Sequence, residues 1–282
     1  MGRAGLVLGL MLAATGARAQ DAAWKTPTAP FRIVGNIHYV GTKGLAAYLI
    51  TTPKGAILLD ATMTGNAPLV ERNIRASGVR LSDVKWLITT HEHWDHVGAL
   101  ARIKRDTGAS LLAEASQEHG LAIGNAVSEN EAHPPAFAPV RVDRVLTDGE
   151  RIELGGVELT AILTPGHTPG CTSWAMRVVD RGRPLQVVFP CSITVAGNKL
   201  VGNRTYPGIV ADFRKSFDRL GAMQAEIVLT AHPDAADVLG RAARARAGQR
   251  DAFVDPALLG KLVGDARVAF DEELHRQESG RR

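Results

Sequence analysis

Seven consecutive residues, Thr90-His91-Glu92-His93-Trp94-Asp95-His96, constrain this chain more than any other stretch. They close an apolar run, Val84 to Thr90 (VKWLITT), that reads as a buried strand. Three imidazoles and a carboxylate are therefore delivered to one point at the carboxyl end of that strand. A lone histidine is commonly structural, but three at this spacing beside an aspartate form a metal-binding pattern: neutral imidazole suits zinc, and carboxylate oxygen is an acceptable partner. Glu92 and Trp94 alternate with the candidate ligands and so point elsewhere. The chain has only two cysteines, Cys171 and Cys191. A four-cysteine zinc site is excluded, and any metal is held mainly by His, Asp or Glu.

Two further histidines stand in comparable places, His167 in Thr164-Pro165-Gly166-His167-Thr168-Pro169-Gly170 and His232 in Leu229-Thr230-Ala231-His232-Pro233. Each follows an apolar strand, from which a loop can return it to the same sheet end. With the cluster they bring the donor count to six, enough for three protein ligands on each of two ions with positions left open for water. His38, His119, His133 and His275 have no partner at ligand spacing and read as structural or exposed. Asp60 ends the strand AILLD, where it either hydrogen-bonds a ligand histidine or serves as a plain turn residue. Trp94 and Trp174 neighbour the ligands, and either wall the site or pack in the core.

The remaining sequence supplies the carriers. From Ile33 to Asp60, short apolar-polar alternations separated by Gly turns predict a meander of strands. Residues 65 to 78 have helical spacing and stop at Gly78, and Gly98 to Thr107 repeats the pattern before a short strand, Ser110 to Ala113. The polar, Pro-rich stretch 126 to 142 reads as a long loop, and long loops in compact domains are often functional. Strand-like segments follow at 151 to 163, 172 to 179 and 185 to 191, then a helix at about 208 to 221, a strand from Glu226 to Thr230, and an amphipathic helical region over 245 to 282. Both halves contain strands ending in a histidine-bearing turn, which predicts two sheets meeting at one site.

Residues 1 to 19 combine one early basic residue, an apolar stretch from about Leu6 to Ala14, and small residues ending in Ala17-Arg18-Ala19, the pattern of a cleaved secretory signal. The stretch is too short for a permanent span, which needs roughly 20 apolar residues. Cleavage after Ala19 removes Arg3 and Arg18 but no acid, so the formal charge of +4 falls to +2. Residues 20 to 282 are then expected as one domain in an exported compartment, most simply a bacterial periplasm. No run of like charges suggests a nucleic-acid footprint, no stable membrane association is expected after cleavage, and a monomer is expected.

The H-x-H-x-D-H pattern with distant histidines resembles the metallo-β-lactamase fold hydrolases over nearly the whole chain after residue 19. Longer stretches narrow the resemblance to the subclass B3 metallo-β-lactamases: Ala29-Pro30-Phe31, residues 166 to 170 followed by Thr172-Ser173-Trp174, the segment Gly202 to Pro207 (GNRTYP), and Asp212 to Leu220 (DFRKSFDRL). This resemblance implies an α/β (α+β) fold built as a four-layer αββα sandwich, two mixed β-sheets packed face to face with helices outside. It implies two zinc ions per chain, the first on His91, His93 and His167 and the second on Asp95, His96 and His232, with Asp95 also catalytic. It further implies that Ser192 and Thr194 bind a substrate carboxylate, Thr194 keeping the hydroxyl of the more familiar serine and adding a methyl.

The reaction so implied is hydrolysis of the ring amide of penicillins, cephalosporins and carbapenems by a metal-bound hydroxide, an antibiotic-resistance activity on small-molecule substrates. The alternative on the same scaffold is a lactonase or a thioester hydrolase similar to glyoxalase II. Those families commonly bridge their metals through an aspartate near position 191, which is Cys191 here. A metal-binding protein without catalysis belongs to a different class, and mixed His/Asp ligation with open positions argues against it, since structural zinc is usually closed by four protein ligands. Cys171 and Cys191 both lie near site elements; an oxidising compartment permits a disulfide, provided their Cα atoms approach within about 7 Å.

Overall fold

The computed structural model of the chain describes residues 22–127, 129–131 and 133–280, so the expected leader lies outside the described residues. The meander predicted over 33 to 60 forms four antiparallel strands, β1 (Phe31–Val34), β2 (Ile37–Tyr39), β3 (Tyr48–Thr52) and β4 (Gly55–Leu59). From β4 the sheet continues with parallel neighbours, β5 (Val84–Ile88), β6 (Ser110–Glu114) and β7 (Arg144–Leu146), giving seven strands in chain order. Parallel strands need crossovers. Here they carry α1 (Ala67–Ala76), α2 (Trp94–Val97), α3 (Leu100–Thr107) and α4 (Ala115–Ile123).

The second sheet is an antiparallel run, β8 (Arg151–Leu154), β9 (Val157–Leu163), β10 (Thr172–Asp180) and β11 (Arg183–Phe189), with β12 (Ile227–Val228) added parallel to β11. The helix α5 (Ile209–Gly221) makes that last crossover, and α6 (Val238–Arg246) and α7 (Leu258–Glu278) complete the chain. Alternation along the strands sorts their side chains into layers. Ile37, Tyr48 and Ile57 of the first sheet meet Leu159, Trp174 and Val187 of the second in a shared central core. The opposite face of the first sheet, with Leu49, Leu58 and Leu87, packs on Val70, Ile74 and Ile103 of its helices. Val188 on the outer face of the second sheet packs with Phe213, Phe217 and Phe270 of α5 and α7. The expected αββα layering is thus present.

Some elements differ from the sequence reading. The expected strand 151 to 163 is a hairpin, turned at Gly155 and Gly156, both at positive φ. The helical region expected from 245 begins only at Leu258, preceded by the separate helix α6. Helix α4 was not expected, because ASQEHGLAI carries no continuous apolar stripe and includes a glycine. That glycine, Gly120, is a close-approach position: a Cβ there would lie 2.8 Å from Glu92 Cγ.

Candidate metal centre

Strand β5 ends at Ile88, and the chain leaves it through Thr89 and Thr90 into the turn bearing His91 and His93. His167 comes from the other sheet, on the loop between β9 and β10. Gly166, at φ +139, makes that loop possible, since a Cβ would meet the Phe213 ring at 2.7 Å. Donor atoms of His91, His93 and His167 lie within 4.8 Å of one another.

Hydrogen bonds assign the ring faces. The Thr90 hydroxyl donates to Asp60 (2.8 Å), so at 3.1 Å it accepts from His91 Nδ1–H and leaves the Nε2 lone pair free. His167 Nδ1–H donates to the Thr194 carbonyl at 2.7 Å, which turns its Nε2 toward His93 Nδ1, 2.9 Å away. Burial first, then the neighbouring imidazoles, hold His91 and His167 well below the usual histidine range, and burial takes His93 down to about 4. All three rings are therefore neutral near pH 7.

The second group begins two residues after His93, at Asp95. Helix α2 turns Asp95 and His96 back over the strand end, and His232 follows β12. Asp95 Oδ2 lies 3.2 Å from His96 Nε2 and 3.4 Å from His232 Nε2. Burial pushes the Asp95 carboxyl up, but His96, His232 and His93 more than offset it and hold the group well below the carboxylate range. Asp95 is an ionised acceptor. The two groups adjoin, with the His91 and His96 ring centroids 4.3 Å apart.

Asp60 serves both groups. Its carboxylate accepts from the Thr90 amide and hydroxyl, and it stands 3.8 Å from His96 Nδ1. Its tie to the ligands therefore runs through Thr90, and Asp60 holds a positive φ of 58° to make it.

The donor set fits a metal. His91 Nε2 is buried without any hydrogen-bond partner, a costly state for an isolated ring nitrogen and a natural one for a ligand. The structure brings the six expected donors into two adjoining groups, His91/His93/His167 and Asp95/His96/His232, the grouping that the resemblance implies. The cysteines form a disulfide, Cα–Cα 5.8 Å, joining the His167 loop to the end of β11. Its sulfurs come near His91 but, bonded to each other, offer no thiolate.

His93, His167, Asp95, His96 and His232 line a cleft of about 800 Å³, within the range of small-molecule sites. Ser192 and Thr194 line it, as do Trp94, Pro134, Pro135 and Leu262. Trp174 instead is fully buried in the core, donating to the Thr89 carbonyl. His119, His133 and His275 are exposed, and His133 faces an adjoining depression. Sequence reasoning missed Trp24, whose ring lies 5.5 Å from His232 and 5.8 Å from Trp94. An aromatic residue within the polar entry segment was the available signal.

Comparison with known proteins agrees with this geometry. The family model described as the metallo-beta-lactamase superfamily matches residues 43–232. A subclass B3 metallo-beta-lactamase of Bradyrhizobium japonicum superposes with a TM-score of 0.88 at 39% identity, covering 92% of this chain and 98% of that one. The native metallo-beta-lactamase of Legionella gormanii gives 0.86 at 39% identity, over 90% and 98%. A subclass B3 enzyme from a soil metagenome library gives 0.87 at 34%, over 92% and 100%. Curated relatives match less of their own length. A protein named probable metallo-hydrolase, from Burkholderia pseudomallei, is 32% identical over 41% of this chain and 38% of its own length. A hydroxyacylglutathione hydrolase of Fuscovulum blasticum is 26% identical over 68% and 69%.

Proposed function

This chain belongs to the metallo-beta-lactamase superfamily, and from that membership we propose that it is a zinc-dependent β-lactamase of the subclass B3 type, opening the ring amide of penicillins, cephalosporins and carbapenems. The observation that carries the reading is the likeness to a subclass B3 structure over 92% of the chain at 39% identity and a TM-score of 0.88. His91, His93 and His167 would hold one zinc, and Asp95, His96 and His232 a second. When bound, zinc lowers the pKa of a coordinated water from 15.7 to about 7 and polarises a carbonyl oxygen.

The protein's own groups have distinct tasks. Asp95, ionised and acceptor-only, orients the O–H of the attacking water. The Ser192 and Thr194 hydroxyls, on the cleft wall, donate to the substrate carboxylate. Among the described residues lining the cleft there is no Lys or Arg, so this carboxylate is met by neutral donors. Trp24, Trp94, Pro134, Pro135 and Leu262 give the fused rings an apolar wall and exclude bulk water.

The export reading belongs to the same proposal: cleavage after Ala19 and periplasmic residence place the enzyme where β-lactams act, as a monomer. No helix among the described residues is long and apolar enough to cross a membrane.

The match to a hydroxyacylglutathione hydrolase over 68% of the chain favours thioester hydrolysis as a second reading. Against it, position 191 offers no bridging carboxylate but a cysteine bound to Cys171. The deciding experiment follows ring opening of a carbapenem and a cephalosporin by ultraviolet absorbance, with and without chelator and added zinc, alongside metal analysis. Chelator-sensitive hydrolysis with about two zincs per chain is expected. Zinc loading without hydrolysis overturns the substrate assignment and turns attention to lactones and acyl-glutathiones.

A further inference from the structure

The first triad depends on two loops from different sheets keeping their separation. His91 and His93 stand on the turn after β5, His167 on the loop after β9. Backbone and side-chain bonds sew this seam together on one side: Thr172 N donates to Thr90 O at 2.8 Å, and Gln117 Nε2 donates to Thr90 O at 3.2 Å and Gly170 O at 2.6 Å. Those ties lie before His91 and after His167 in the chain. Apart from the ligand rings themselves, whose His93 and His167 nitrogens lie 2.9 Å apart, the pair Glu92–Thr168 joins the ligand-bearing segments directly.

Glu92, between His91 and His93, turns its side chain away from the cleft. It is fully buried, and its Oε2 accepts a 2.9 Å hydrogen bond from the hydroxyl of Thr168, also fully buried and next to His167. Its other oxygen, Oε1, has no partner. Helix α4 closes over it so tightly that only a glycine fits at position 120. A carboxyl group buried with a single side-chain partner is costly to keep, and an apolar side chain would pack there without that cost. The bond to Thr168 gives the group its purpose.

We infer that Glu92 is a positioning residue for the first metal position. Through Thr168 it locks His167 against the His91–His93 turn, and so sets the affinity of that position apart from the second, whose Asp95 and His96 stand on α2 and whose His232 follows β12. The inference rests on the reading that the three histidines hold a metal. Outer groups that orient metal ligands typically change affinity 10- to 100-fold on removal.

The test titrates metal-free protein with zinc against a chromogenic chelator, comparing wild type with Glu92→Leu, Glu92→Gln, Thr168→Val and Thr168→Ser, with far-ultraviolet circular dichroism as the check on folding. Glu92→Leu and Thr168→Val are expected to weaken one of two ions by about 10- to 100-fold and leave the other unchanged. Glu92→Gln, whose amide oxygen still accepts from Thr168, and Thr168→Ser, which keeps the hydroxyl, are expected to stay within a few-fold of wild type. Should Glu92→Leu fail to fold, the nearly isosteric Thr168→Val carries the test.

Wild-type affinity for both ions in Thr168→Val overturns the assignment, as does equal weakening of both ions in all four variants. A wild-type protein that takes up no zinc overturns it together with the reading of the triad. Selective loss of one ion in a protein inactive on every β-lactam leaves Glu92 assigned and refutes only the substrate.

Discussion

Asp95 stands within its triad at 3.2 and 3.4 Å from the ring nitrogens of His96 and His232, and its histidine neighbours keep it ionised. Its proposed role is in the reaction, whereas Ser192 only anchors the substrate. Asp95→Asn is therefore expected to lower kcat by about 100-fold or more. Ser192→Ala removes one charge-assisted hydrogen bond and is expected to raise KM about tenfold with kcat nearly unchanged. Steady-state kinetics on one carbapenem decides between them; equal kcat for wild type and Asp95→Asn refutes the role.

Glu92 also has a pH signature at this scale. Burial, reinforced by Glu114, lifts its carboxyl from 4.5 to about 7, against the opposing bonds from its own backbone and Thr168. A raised carboxyl pKa stabilises the fold fully below 4.5, and that contribution is lost as pH rises through about 7. His93 and His232, depressed from 6.5 to about 4, act in the opposite sense and cost stability as pH falls through that interval. Comparing metal-free wild type with Glu92→Gln cancels the histidines. The variant's relative stability is expected to rise by up to about 3 kcal/mol between roughly pH 5 and roughly pH 8. Melting curves with a constant difference between the two proteins contradict the shift.

At the level of elements, the helices and strands with clear periodicity were legible: residues 65 to 78, 98 to 107 and 208 to 221 all became helices within a few residues of their expected ends. The exceptions have physical causes. Helix α4 has no apolar stripe because it packs on polar groups, with Gln117 and Gly120 pressed against the two ligand loops. Strand β7 has only three residues, too few to show a period. The disulfide bridges the His167 loop and the β11 end across 20 residues of chain. Closing a loop of this size is worth about 3 kcal/mol. Replacing both cysteines by alanine is expected to lower the melting temperature of the metal-free protein by about 6 to 12 °C. An unchanged melting temperature and thiol count under reductant show that the bridge does not form.

For the whole molecule, local chain geometry and long-range packing account for different parts of the site. Four donors, His91, His93, Asp95 and His96, were legible because covalent spacing at a strand end already places them together. The sheet meander and the main helices were legible because each writes a period into adjacent residues. That His167 and His232 join them came from the resemblance and not from local spacing, since their convergence depends on two sheets packing face to face. The same packing set the Asp60–Thr90 tie, the Glu92–Thr168 bond, the approach of the cysteines and the place of Trp24 over His232. These contacts join residues 20 to more than 200 positions apart, and no local pattern encodes such a distance. They exist because burying both apolar sheet faces leaves one arrangement in which the strand ends, and the polar groups on them, converge.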